Sequence, residues 1–208
     1  MNFADVVHRR RIVRQFEETP IAREVLERIA AVAQRAPSAG FSQGQRLVVV
    51  TEEAMRRRVA AVVGEDFYVA DGYGSWISRC GAQFIPCVSE RIYKERYREP
   101  DKVAEEERYH DLVGDAAGAG DEEWAIPYWW MDAGCTVMLL LLAVVDEGLA
   151  AGFCGVNEPA ALQAALGIPE DMIPVGVIPV GRPRPDKRSP SLGRGRVDFP
   201  EFLRWQRW

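Results

Sequence analysis

Three short segments contain residue types and spacings that could do chemistry. Arg10-Arg11-Ile12-Val13-Arg14-Gln15-Phe16 sets three guanidinium groups within one short stretch, and planar N–H forks match the oxygens of a phosphate. Ala36-Pro37-Ser38-Ala39-Gly40-Phe41-Ser42-Gln43 is a run of small residues that lets backbone approach a flat ligand, with the amide of Gln43 offering a paired donor and acceptor. Gly152-Phe153-Cys154-Gly155-Val156 has glycines able to bring backbone N–H groups to the edge of a ring. Side-chain nucleophiles and metal ligands are poorly represented. Only His8 and His110 are available as histidines, and Cys80, Cys87, Cys135 and Cys154 form no C-x-x-C pair, so neither a histidine triad nor a zinc site nor a disulfide framework is expected. No P-loop, G-x-G-x-x-G, G-x-S-x-G or H-E-x-x-H is present. No residue is assigned as catalytic and no metal is expected. A bound cofactor is the expected source of the chemistry.

Charge points the same way. The 208 residues carry a net charge of −5, which argues against nucleic acid as the main partner. Both ends are nevertheless basic: Arg9, Arg10, Arg11 and Arg14 at the start, and Arg182, Arg184, Lys187, Arg188, Arg194, Arg196, Arg204 and Arg207 at the end. Residues 99–123 hold ten acids against Lys102 and Arg108. Two basic ends on an acidic chain suggest that both are brought to one small anion; each arginine taken singly reads equally as solvated surface.

The elements that must position these segments follow from periodicity. Residues 3–11 and 21–35 read as helices, the second with Val25, Leu26, Ile29, Val32 and Ala33 on one face. Residues 47–51 and 83–89 read as strands, and Pro86 demotes the second to an edge or a bulge. Residues 52–63 form an amphipathic helix. Residues 128–147 form a core helix apolar nearly all round, capped by Gly148. Its apolar run, 135–145, is too short to span a bilayer, and the N-terminus has arginines where a secretory signal needs apolar residues, so no membrane association and a cytoplasmic location are expected. A third strand is expected at 150–156, a helix at 158–166 and a fourth strand at 173–180. Residues 90–127, polar and acidic without clean periodicity, read as a lid, a binding loop or a disordered excursion. The tail, 181–208, ends in Phe199, Phe202, Trp205 and Trp208 and must lie on this domain or on a partner. The expected fold is a single α+β domain over 1–208, with a central mixed or antiparallel sheet covered by helices.

Four motifs in register over essentially the whole chain resemble the nitroreductase family of FMN enzymes: R-R-x-V-R-x-F at 10–16, A-P-S-A-G-x-x-Q at 36–43, E-G-L-x-x-x-F at 147–153 and P-S-L-x-R-G-R at 190–196. The resemblance implies FMN as cofactor and NAD(P)H as electron donor. It implies an intertwined homodimer with two sites at the interface, which would give the C-terminal tail a partner surface. By the same resemblance, Arg10, Arg11 and Arg14, with the backbone of Ile12, hold the phosphate and ribityl end, completed by Arg194 and Arg196. Pro37, Ser38, Ala39 and Gly40 lie against the isoalloxazine, commonly from the other subunit, and Gln43 binds the flavin side. Gly155 and Val156 supply backbone donors to the reactive flavin nitrogen. Phe41, Tyr128 and Trp129 are the expected substrate-binding residues. Tyr73, Trp76, Tyr93, Trp124 and Trp130 share with the last two the role of lining or closing the pocket, against an equal case for plain packing.

The implied activity is ping-pong electron transfer to a small planar acceptor such as a quinone, nitroaromatic or enone. The match departs from the family at Ile12, Phe41 and Gly44-Gln45 and in having Ala150 for a second glycine. Gly40-Phe41 is similar to the relative that fragments reduced FMN to 5,6-dimethylbenzimidazole. A flavin-storing protein with little turnover, and a deazaflavin in place of FMN, are the remaining alternatives. A-P-S-A-G-F-S-Q-G, Y-x-E-P-D-K at 97–102 and P-Y-W at 127–129 are similar to one branch of the family that has no assigned substrate.

Overall fold

A computed structural model describes residues 2–113 and 126–208. Its centre is a five-stranded antiparallel sheet in the order β1 (Gln45–Val50), β2 (Ala82–Val88), β5 (Ile178–Gly181), β3 (Ala150–Ala151), with β4 (Ile173–Pro174) pairing the far end of β2. All seven residues of β2 are buried, so it is the central strand and not an edge. Pro86 is accommodated because the partner of β2 changes beside it. Ala82, Gln83 and Phe84 pair with β5, Cys87 and Val88 pair with β4, and the proline's missing N–H falls in the gap. Its carbonyl still accepts a bond, 2.9 Å long, from Val175 N–H.

Alternation along the strands divides the core between two helical layers. Phe84, Ala82, Ile178 and Val180 face a cluster built by α2 (Arg23–Ala33) and α7 (Tyr128–Asp146), in which Leu26, Ile29 and Ala33 meet Leu140, Leu141 and Val144. Ile85, Cys87 and Val177 face the other way, onto Val59 and Ala60 of α3 (Glu53–Val62) and Leu162 of α8 (Pro159–Leu166). A fully buried Leu, Ile or Phe side chain contributes about 1.5–3 kcal/mol, so this two-sided packing holds the sheet firmly. By length and composition α7 could cross a membrane, but Leu140, Leu141, Val144 and Val145 are buried in the fold. Met131, Gly134, Cys135 and Met138 recur at helical spacing on a more open face of the same helix.

Three expectations are corrected. The long third and fourth strands are each cut short. β3 spans two residues, followed by a lone bridge from Cys154 to Val177, and 173–181 divides into β4 and β5. Prolines at 174 and 179 and the departure of 175–177 from the ladder account for the split. Most of 90–113 is helical rather than irregular, forming α5 (Glu90–Arg96) and α6 (Pro100–Val113). Their polar composition hides them from a search for apolar periodicity, and i,i+4 and i,i+3 ion pairs such as Arg91–Glu95, Lys94–Glu90 and Lys102–Glu105 stud them instead. The acidic, Gly-rich stretch 114–125, with Trp124, lies outside the described residues, as does any lid it would form. Helices α1 (Phe3–Arg9), α4 (Glu65–Ala70) and α9 (Phe199–Phe202) complete the chain.

Candidate functional site

The two basic ends meet at one edge of the sheet. Beyond β3, Ile12 bridges Ala151 in parallel, and Val13 N–H donates to Ala151 C=O at 2.9 Å. The same segment pairs on its other side with residues after β5. Phe16 bridges Pro183, Glu17 N–H donates to Arg182 C=O, and Arg184 N–H to Gln15 C=O. This register continues into a side-chain contact, Arg14 N–H donating to the Asp186 carboxylate at 2.6 Å. Gly152 makes the close approach possible. A Cβ there would lie 2.4 Å from the Trp76 ring and 2.8 Å from Val13 C=O. Its own N–H is committed to Pro179 C=O, so Gly152 serves the fold and not a ligand.

Arg14 lies over an aromatic floor, its guanidinium 5.0 Å from the Tyr73 ring centre and 5.9 Å from that of Trp76. Lys187 comes to the same tyrosine, Nζ 4.7 Å from the ring centre and bonded to Asp71 C=O at 2.8 Å. The buried Arg14 Nε and Trp76 Nε1 have no hydrogen-bond partner among the described residues. Among the described residues, Arg10, Arg11, Arg194 and Arg196 have no ion pair either. Further along this edge the Gly155 and Val156 N–H groups donate to no group among the described residues. A Cβ at Gly155 would meet nothing within 4 Å. Unpaired cations beside free backbone donors and exposed space fit an anionic ligand with a flat, hydrogen-bonding ring. Under this edge, burial pushes the Tyr68 hydroxyl up to about 12. Burial likewise raises the Cys154 thiol, 3.7 Å from that hydroxyl, so neither ionises near neutrality.

The loop 37–43 is held elsewhere, by α5 and α7. Asp132, one of only two acids in α7 and buried, accepts from Ala39 N–H at 3.0 and 3.2 Å through its two oxygens. Burial raises its carboxyl above the usual range, and the Ala39 N–H and the Ser42 hydroxyl act against that rise. Arg96 Nε donates to Gly40 C=O at 3.0 Å. Gly40 has φ +60°, and a Cβ there would lie 2.8 Å from the Tyr97 ring, so only glycine fits this position. Phe41 and Gln43 also take left-handed φ values of 56° and 52°, a cost that side chains with a Cβ normally avoid. Gln43 N–H is paid off by Ser38 Oγ at 3.0 Å. Phe41, 71% exposed, and Pro37 border a groove of about 920 Å³ running between this loop, α2 and β1.

The expected site residues therefore fall into two groups. Arg10, Arg11, Ile12, Arg14, Gly155 and Val156 share the sheet edge. Pro37, Ser38, Ala39, Gly40, Phe41 and Gln43 form the loop. Tyr128 and Trp129 join the second group from beneath: with Tyr93, Tyr97 and Ala39 they form one apolar cluster, in which Trp129 is buried. Tyr73 and Trp76 are also buried, under the first group. Among the described residues no hydrogen bond or ion pair joins Arg194 or Arg196, both exposed, to Arg10–Arg14. Of the C-terminal residues, Asp186 bonds the Arg14 backbone and Lys187 meets the Tyr73 ring that Arg14 also meets, roles that sequence reasoning left unassigned. It also passed over Asp132 and Arg96, although a carboxylate at the start of an otherwise apolar helix is a legible signal.

Comparison with known proteins shows the family. The nitroreductase family profile matches residues 7–182, and the chain belongs to that family. It is 29% identical over 198 residues to the 5,6-dimethylbenzimidazole synthase of Rhodospirillum rubrum, covering 89% of this chain and 83% of that protein. It is 22% identical over 195 residues to an NADPH-dependent oxidoreductase of Staphylococcus aureus, covering 91% and 68%. A chain from Exiguobacterium sibiricum, assigned as a nitroreductase and solved in complex with FMN, superposes with a TM-score of 0.72 at 19% identity, covering 99% and 98%.

Proposed function

We propose that this protein binds FMN and acts as an NAD(P)H-dependent oxidoreductase on a small planar acceptor. The observation that carries the reading is the row of free Gly155 and Val156 N–H groups on the sheet edge that also holds Arg10, Arg11 and Arg14. An FMN complex among similar folds and a relative named for NADPH dependence support cofactor and donor. FMN, when bound, would supply the two-electron chemistry that links a nicotinamide donor to the acceptor in a ping-pong sequence.

The chain's own work is binding and exclusion. Arg10, Arg11 and Arg14, with the Ile12 backbone, would hold the phosphate, Lys187 on the shared Tyr73 ring would add a further cation, and Arg194 and Arg196 would complete the site. Gly155 and Val156 donate to the ring edge. Pro37, Ser38, Ala39, Gly40 and Gln43 come from a second subunit, with Phe41, Tyr128 and Trp129 on the acceptor side. The apolar face of α7 and the exposed Phe199, Phe202, Trp205 and Trp208 supply the surface for a homodimer. No membrane or nucleic-acid role is needed, and the reading suits a cytoplasmic enzyme.

The absorption spectrum of the purified protein, followed by stopped-flow mixing with NADH and NADPH, tests this. The expected result is an oxidised flavin spectrum bleached by at least one of the two. A spectrum without flavin sinks the cofactor, and flavin that neither donor bleaches leaves a flavin-binding protein without reductase activity. Gly40-Phe41 and the likeness to the 5,6-dimethylbenzimidazole synthase favour a second reading, fragmentation of reduced FMN by dioxygen. Chromatography of an aerobic incubation with reduced FMN decides it by the presence or absence of the benzimidazole.

A further inference from the structure

The Tyr97–Lys102 segment, Y-R-E-P-D-K, has no role in the site so far. Arg96, just before it, ends α5 with its side chain only 18% exposed. Its Nε donates to Gly40 C=O at 3.0 Å. Its two terminal nitrogens meet the two oxygens of Asp101, in the first turn of α6, at 2.7 and 2.6 Å, and one of them also reaches Glu99 at 3.1 Å. A guanidinium bound on both edges is fixed in place, because its planar fork allows one orientation for a bidentate carboxylate. Tyr97 adds the steric half of the contact, its ring filling the space beside Gly40, while Tyr93 backs it at 5.0 Å between ring centres. From α7, Asp132 holds Ala39 N–H. The carbonyl of residue 40 and the amide of residue 39 are thus gripped from two helices. The strained φ values at Phe41 and Gln43 lie immediately beyond that grip. Strain of this kind persists only where the surroundings overdetermine it.

We propose that Arg96, locked by Asp101 and joined by Asp132, is a positioning residue that sets how the 39–43 loop presents Phe41 and Gln43 to the flavin and its acceptor. The E-P-D-K sequence is then the lock of a clamp: Pro100 starts α6 so that Asp101 faces back to the end of α5. This rests on the FMN-site reading for the loop, whereas the grip itself does not.

The test compares Arg96→Ala, Arg96→Lys and Asp101→Asn with the parent by amide exchange of the 39–43 peptide, FMN titration, the visible spectrum of bound flavin, and KM for menadione against kcat. Arg96→Ala is expected to speed exchange of the loop about tenfold, since it removes one charge-assisted hydrogen bond, and to raise the FMN Kd or the menadione KM by a similar factor with a shifted flavin spectrum. Arg96→Lys keeps the charge but not the fork and is expected to rescue little. Asp101→Asn leaves Arg96 in place and gives a smaller change in the same direction, and it carries the test if Arg96→Ala fails to fold. Unchanged exchange in these variants overturns the clamp. Faster exchange with unchanged Kd, KM and spectrum overturns its positioning role. If the parent binds no FMN, the site reading falls while the exchange data still decide whether Arg96 holds the loop.

Discussion

The sheet edge and the 37–43 loop reach their geometry by different means. Along the edge, backbone pairing does most of the holding: Ile12 and Val13 are tied to Ala151 and Phe16 and Glu17 to 182–183, with one side-chain contact, Arg14 N–H to the Asp186 carboxylate. In the loop the holding is done by side chains, Asp132 and Arg96 gripping two backbone groups around left-handed residues. A ladder is cooperative and tolerates changes in side chain, so the edge can vary at Ile12 without moving. A clamp is only as stiff as its two or three contacts, so the loop is the part of the site where single substitutions can retune presentation.

The most damaging change should be on the edge. Gly152→Ala forces a Cβ into Trp76 and Val13 C=O and is expected to cost up to about 3 kcal/mol, lowering Tm by about 6–12 °C; a denaturation midpoint within error of the parent would mean that the edge gives way more easily than a ladder should. Next, Arg14→Ala removes a cation from beside the free donors and is expected to weaken FMN binding about tenfold or more with little loss of cooperativity in unfolding. Flavin fluorescence titration reads this, and an unchanged Kd would leave Arg14 as a packing partner of Tyr73.

In the loop, Asp132→Ala leaves Ala39 N–H without its acceptor and is expected to cost about 1–3 kcal/mol, read from urea unfolding, with faster exchange at 39–43. A smaller effect concerns pH. The Arg96 guanidinium holds Asp101 down to about 2, so the contribution of this pair is complete above the ordinary carboxylate range and is lost as pH falls through about 4 to 2. Loop exchange, corrected for intrinsic rates, should stay flat from pH 7 to 5 and open only below that; NMR titration of Arg96→Ala should return Asp101 to its usual value. Least of all, Phe41→Gly relieves a left-handed φ and is expected to stabilise by about 0.5–1 kcal/mol, while changing the menadione KM. A loss of stability would show that Phe41 packs in the native assembly.

How much was legible in the sequence follows the same division. Val48 to Val50, the amphipathic face of α2 and the apolar α7 with its Gly148 cap are local patterns, and each forms the element its pattern dictates. Pro86 misleads, because a proline is excluded from a central strand only where a partner needs its N–H, and the exchange of β5 for β4 beside it is not written locally. Helices α5 and α6 escape notice because their faces are made of paired charges rather than apolar residues. Arg194 and Arg196 look like the natural completion of the basic N-terminus, whereas the pairing of 14–17 with 182–186, which sets Lys187 on the Tyr73 ring that Arg14 also meets, is not written locally.

Sequence alone determined the family, the α+β class and the segments proposed to carry the site, because motif order, helical period and strand composition are properties of neighbouring residues. Tertiary structure decided that Asp186 bonds the Arg14 backbone, that Gly152 is needed for Trp76 while Gly155 faces open space, and that Asp132 and Arg96 grip the loop. Each of these joins residues from about 50 to more than 170 positions apart. Such pairings depend on sheet register and helix placement, which no local pattern encodes.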